Sequence, residues 1–260
     1  MNIDDAPKKT PGRPKSSCTP SGGLPQGRVG GEPKKTPGRP KSSCTPSGGL
    51  PQGRVEGRPS YEAAVVVDME HWLEQAVIGL QLCPFAKSVH VRGQIHYVVT
   101  RASEPDLLLA KLAHAMQELV AMEPVQRDTT LLVMPDALTS FQDFNDFLFR
   151  ADALLAALDL DGVLQLASFH PQFQFAGTRV DDIGNATNRA PYPTLHVLRE
   201  ASLDHAVAAF PQAESIFEAN IETMQRLGQA GWDALGIRRS VPEVLQPTAA
   251  PAQRRSKIRR

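Results

Sequence analysis

Between residues 60 and 227 the chain alternates long stretches of helical periodicity with short apolar runs, and that alternation leaves few architectures open. From Ser60, the residues Ala64, Val67, His71, Trp72, Gln75, Ile78, Gly79 and Leu82 follow three- and four-residue steps until Pro84 ends the helix. Residues 94–101 (QIHYVVTR) are β-branched and aromatic enough for a strand, and 104–122 return to helical steps through Leu108, Leu112, Ala115, Met116 and Leu119. TTLLVM at 129–134 reads as a buried strand. Ser140 is placed to cap a helix running to Leu158, with Asp143 near the positive end of its dipole. A strand then runs from Gly162 to His170, another covers 194–199, Ser202 caps a short helix, and 214–227 form the last long one. Helices of this length between short strands imply right-handed βαβ crossovers. The expected fold is a single layered α/β domain, with a mixed, mainly parallel central sheet of about four strands flanked by helices. In such sheets ligands lie beyond the carboxyl ends of the strands.

Charge marks where that domain stops. Residues 1–58 carry 11 Lys/Arg against 4 Asp/Glu, and 238–260 carry 7 against 1, so the zero net charge conceals a middle with 10 basic and 23 acidic residues. The expected organisation is a disordered basic tail at 1–59, an α/β domain at 60–237 and a second disordered basic tail at 238–260. Within the first tail, PKKTPGRPKSSCTPSGGLPQGRV at 7–29 recurs unchanged at 33–55, a period of 26 residues. Two copies with so little apolar surface cannot stack into a repeat fold. The embedded Gly-Arg-Pro resembles the core of AT-hook minor-groove binders, in which an arginine normally precedes the glycine. Pro11 and Pro37 occupy that place here, so nucleic-acid binding by the tails is expected to be weak and salt-sensitive.

The first long apolar stretch is interrupted by Asp68, Glu70, His71 and Glu74, which suits neither a signal peptide nor a membrane span. No membrane association is expected, and a cytoplasmic location is. Two of the three cysteines, Cys18 and Cys44, are repeat equivalents, so no disulfide or metal framework is expected. Cys83 reads as a packed thiol rather than a nucleophile, because it follows a helix whose negative dipole end disfavours thiolate.

The densest chemistry lies at 168–200, SFHPQFQFAGTRVDDIGNATNRAPYPTLHVLRE. His170 ends a strand before Pro171, where an extended backbone could present its imidazole for acid/base work; the alternative is a histidine bonded to the neighbouring loop. His196 and Glu200 fall on one face of their strand but about 13 Å apart, too far to share a metal. No His-x-His, His-Glu-x-x-His or Cys-x-x-Cys spacing accompanies them. Asp181 and Asp182 suit either a turn or a general base. Arg179, Arg189 and Arg199 are three of the ten basic residues of the body, within 21 positions. They suit bidentate recognition of an anion or neutralisation of the nearby carboxylates. The candidate site is therefore His170, Asp182 and His196 as catalytic groups, with Arg179, Asn188, Arg189, Tyr192 and Arg199 binding a small anionic substrate and no metal.

Several unusual words occur in order: Trp72, VIGLQLCPFAK at 77–87, TTLL at 129–132, FNDFL at 144–148, ASFHP at 167–171, FAGT at 175–178, Asp181-Asp182, TNR at 187–189, and Pro191-Tyr192-Pro193 through His196 to Arg199-Glu200. Together they resemble a bacterial family, the domain of unknown function 1415, over about residues 61–237. The resemblance implies a cytoplasmic bacterial domain of this length and brings no reaction or cofactor with it. Walker, Gly-x-Gly-x-x-Gly, Gly-x-Ser-x-Gly and RNA-binding aromatic signatures are all missing. Two function classes remain open. One is a small-molecule enzyme or anion-binding domain using the 168–200 pocket, and the other is an interaction protein that binds polyanions through its tails.

Overall fold

The computed structural model describes residues 59–209 and 215–241; the tandem repeat and the rest of the basic tail beyond 241 lie outside the described residues. Helix α1 (Tyr61–Trp72) begins at Ser60, whose hydroxyl accepts the Ala63 N–H, and it runs into a π-helical turn at Leu73–Ile78. There follow α2 (Ala86–Val91), β1 (Ile95–Val99), α3 (Pro105–Ala121), β2 (Thr129–Val133), α4 (Phe141–Ala157) and β3 (Leu164–Phe169). A 3₁₀ turn at Ile183–Asn188 precedes β4 (Thr194–Arg199), α5 (Glu200–Ala209) and α6 (Ile216–Ala234). Ser140 caps α4 as its position in the sequence implies, accepting the Asp143 N–H. Pro at the first turn of α3 needs no amide partner, which suits the start of a helix. Within α6, Gly228 takes φ 64° and ψ 175°, an interruption that glycine tolerates best.

The sheet is mixed, in the order β1-β2-β4-β3. Three strands run the same way and β4 is inserted antiparallel between β2 and β3. Because side chains alternate across a strand, this register assigns each residue to one of two faces. Leu132, Val98, Leu195, Val197, Leu164 and Leu166 meet α3 and α4, through Leu108, Leu112, Met116, Phe144, Phe147 and Ala151. Leu131, Val133, Ile95, Tyr97, Val99 and Phe169 occupy the opposite face with α1 and its π-helical extension, through Val65, Met69, Trp72, Leu73 and Ala76. The 3₁₀ turn packs with α6 in a third cluster around Ala186, Met224 and Leu82.

Ordered packing continues past residue 237. The backbone N–H and hydroxyl of Ser240 both donate to Asp68 Oδ2, at 2.7 and 2.8 Å, and Val241 is buried against the α1 face. Arg239 donates to the Pro135 carbonyl and lies over the Tyr192 ring, 4.9 Å from its centroid. Tyr192 is fully buried and its hydroxyl donates to the same Asp68 Oδ2 at 2.5 Å. Asp68→Ala is expected to destabilise the domain by about 2 kcal/mol, since it strands a buried phenol and releases the 239–241 strap. Urea denaturation checks this, and a loss below about 0.5 kcal/mol would contradict it.

Candidate functional site

The 168–200 segment divides between two ends of the sheet. Residues 170–193 connect the carboxyl end of β3 to the start of β4, alongside the carboxyl ends of β1 and β2. His170 is fully buried there. Its Nδ1 accepts the Gln172 N–H and its Nε2 lies 3.0 Å from the Leu138 carbonyl, to which it donates. Its ring packs beside Phe141 and Phe144 at 5.4 and 5.0 Å. The arrangement matches the alternative of a histidine bonded to the neighbouring loop.

Most of the other polar groups hold this loop in shape. Asp182 Oδ1 accepts the Gly184 N–H and caps the 3₁₀ turn. Asn188 donates to the Ser168 carbonyl, and its own carbonyl accepts the His170 N–H. Arg189 donates to the carbonyls of Phe173 and Val180, and burial lowers its pKa. Arg179 grips Asp181 with two bonds of 3.0 and 2.9 Å at an exposed position. Asn185, wholly buried, accepts the Phe175 N–H and donates to the Arg179 carbonyl. Tyr192 is committed to Asp68; burial and that carboxylate raise its pKa.

His196 and Arg199 stand apart from this network. Both line a cavity of about 1100 Å³ at the other end of the sheet, by the amino ends of β1, β2 and β3 and the carboxyl end of β4. Its floor is the α1 face of the sheet, including Ile95, Thr129, Leu131, His196, Leu198 and Phe169. One wall comes from Trp72, Leu73, Val77 and the segment from Cys83 to Arg92, and the other from α5. Polar groups are few. Asp128 accepts the Ser202 hydroxyl at 2.6 Å, and Arg92 donates to Gln94 Oε1. Arg199 reaches across to the carbonyls of Leu119, Met122 and Arg127, satisfying the end of α3 where intrahelical donors run out. The Trp72 indole N–H donates to the Arg189 carbonyl at 2.8 Å, and its ring meets Phe169 edge-on at 5.0 Å, so one side chain joins the loop to the cavity.

His205 lines the cavity from α5, and His196 stands in its floor. The Nε2 of His196 is 2.6 Å from Thr129 Oγ1, and burial alone pushes its pKa down to about 4, so the ring is neutral at physiological pH. Cys83 sits in the same wall. It follows the π-helical turn, as its place in the sequence implies, but it also precedes α2, where the nearby Phe85 and Ala86 backbone amides favour the thiolate. Burial outweighs them and raises the thiol pKa. Among the described residues, no group of three His, Cys, Asp or Glu could hold a metal ion, and no helix is long and apolar enough to cross a membrane.

A family whose description is "Protein of unknown function (DUF1415)" matches residues 64–234, well over half of the chain. The chain belongs to the DUF1415 family. No curated protein and no solved structure matches it. The DUF1415 region begins inside α1 and ends with α6, so it takes in the whole sheet, the loop and the cavity. Thr129, Trp72 and the wall from Cys83 to Arg92 were missing from the sequence-derived site. Thr129 lies in an apolar run that reads as core, and only the β2–β4 register brings it to His196.

Proposed function

We propose that the DUF1415 domain binds a small, mostly apolar molecule in the cavity between the sheet and α5, with His196 as its main polar contact. The cavity carries this reading. Its 1100 Å³ suits a drug-sized or medium-chain ligand, its lining is largely hydrophobic, and a single imidazole stands in its floor. The arginines first expected to grip an anion point elsewhere: Arg189 and Arg199 to backbone carbonyls and Arg179 to Asp181. A histidine with a pKa near 4 is a weak base at neutral pH, which favours recognition over general-base catalysis. α5 supports the reading too, because it contributes Ala201, Leu203 and Ala206 to the wall yet has no buried residue of its own. An isolated ten-residue helix is marginal in water, and a ligand would supply the apolar surface it lacks.

The test uses the full-length protein and the uncharged fluorescent probe N-phenylnaphthylamine. Saturable fluorescence enhancement at micromolar concentrations is expected, and Ala206→Trp, which projects an indole into the cavity, should weaken it about tenfold or more. A flat titration, or one indifferent to Ala206→Trp, would count against the cavity.

A further inference from the structure

We infer that the cavity selects apolar ligands that carry a hydrogen-bond donor, an O–H or N–H, and that Thr129 imposes this choice by fixing the tautomer of His196. The inference rests on the reading of the cavity as a binding site and names the class of molecule it takes. Thr129 Oγ1 is 2.7 Å from the Val197 carbonyl oxygen and 2.6 Å from His196 Nε2. A hydroxyl has one hydrogen to give. Two oxygens this close repel unless a hydrogen lies between them, and a carbonyl can only accept, so the Thr129 hydrogen points at Val197. The contact with His196 must then be filled from the histidine side, with Nε2–H donating to Thr129. In a neutral imidazole the other nitrogen is consequently a bare acceptor.

Nothing in the described chain occupies that acceptor. His196 makes no other hydrogen bond among the described residues. Among the described residues, the fully enclosed polar side-chain atoms without partners are Tyr97 Oη and Thr130 Oγ1, so His196 Nδ1 is not sealed in. His196 lines the cavity, and the cavity is where an Nδ1 that is not sealed in opens. Of the other polar groups in the lining, Ser202 bonds to Asp128, Arg92 to Gln94 and Ser88 to the Phe85 carbonyl, while His205 lies across the cavity on α5, away from the sheet floor. A ligand alcohol, phenol or amide N–H would satisfy Nδ1, whereas an ether, ketone or carboxylate would set lone pair against lone pair in an apolar site. Selectivity of this kind is set mainly by the penalty on the wrong ligand.

The experiment displaces N-phenylnaphthylamine from the full-length protein with decanol and with its isomer methyl nonyl ether, which matches it in size and lacks the donor. Decanol is expected to compete at about tenfold lower concentration. In His196→Phe, which keeps a ring and removes the acceptor, the two should become equipotent. In Thr129→Val, which leaves Nε2 free to lose its proton, the preference should fall to about threefold or less. Independently, the ¹⁵N spectrum of the wild-type protein should show an unprotonated Nδ1 resonance on His196 that shifts with decanol and stays put with the ether; this readout stands even if a variant does not fold. Equal potency in the wild type, or a preference undiminished in His196→Phe, overturns the donor requirement while leaving the cavity reading intact. Failure of the probe to bind overturns both.

Discussion

Replacing His170 with alanine is expected to destabilise the domain by about 3–5 kcal/mol, the largest effect of any single change in the 168–200 segment. Three losses combine. The ring is fully buried beside Phe141 and Phe144, so truncation leaves a cavity that rigid neighbours refill only in part. The half-buried Leu138 carbonyl and the Gln172 amide both lose their partners, at about 1 kcal/mol for each bond, since water reaches the exposed Gln172. Leu138 is a non-glycine residue at φ 52°, and the bond from His170 helps to hold it in that sparsely populated region. Urea unfolding measures the loss. His170→Asn should recover part of it, and the folded fraction of either variant should bind N-phenylnaphthylamine within about twofold of wild type, because the ring packs toward α4 rather than toward the cavity. A destabilisation under 1 kcal/mol, or probe binding abolished in folded protein, would restore His170 to the ligand site.

Acidification should destabilise the domain through His196. An unfolded histidine titrates near 6.5 and this one near 4, so between those values the unfolded chain binds the proton and the folded chain does not. The imidazole's contribution is therefore intact above pH 6.5 and is lost as pH falls toward 4. Two and a half pH units at about 1.4 kcal/mol each set an upper bound of about 3.5 kcal/mol. His96 acts in the same sense, its pKa lowered first by burial and then by the Arg127 charge. His196→Phe should flatten the pH dependence of unfolding free energy over this window. An unchanged slope in that variant would assign the acid sensitivity to other groups. Protonation would also turn Nδ1 from acceptor to donor, so any preference for decanol over its ether should vanish near pH 4.

Much of the fold is legible in the sequence because its period is: helices α1, α3 and α4 and all four strands follow from the spacing of apolar residues and from caps such as Ser140. The short helix α2 is hidden, since six residues behind Cys83-Pro84-Phe85 bury nothing and show no period. The place of β4 is hidden too, because pairing order depends on contacts between distant segments. The polar density at 168–200 is real, yet density alone does not distinguish side chains that bind a ligand from those that bind their own backbone. Asn185, Asn188 and Arg189 are busy with carbonyls and amides that no strand satisfies. The cavity could not be read from spacing at all, for its walls come from segments as far apart as Trp72 and Ala209.

The antiparallel insertion of β4 bears on how the chain reaches its native state. β1 and β2 can pair as soon as both exist, but β3 has no neighbour in the sheet except β4, and β2 meets β4 along its other edge. During synthesis a central strand thus arrives last. Until residue 199 has been made, two apolar strand edges wait side by side without the ladder that joins them, the state in which nascent chains aggregate or engage chaperones. A truncation before Thr194 would leave that state permanent, so the sheet closes only when its final strand slides into the middle.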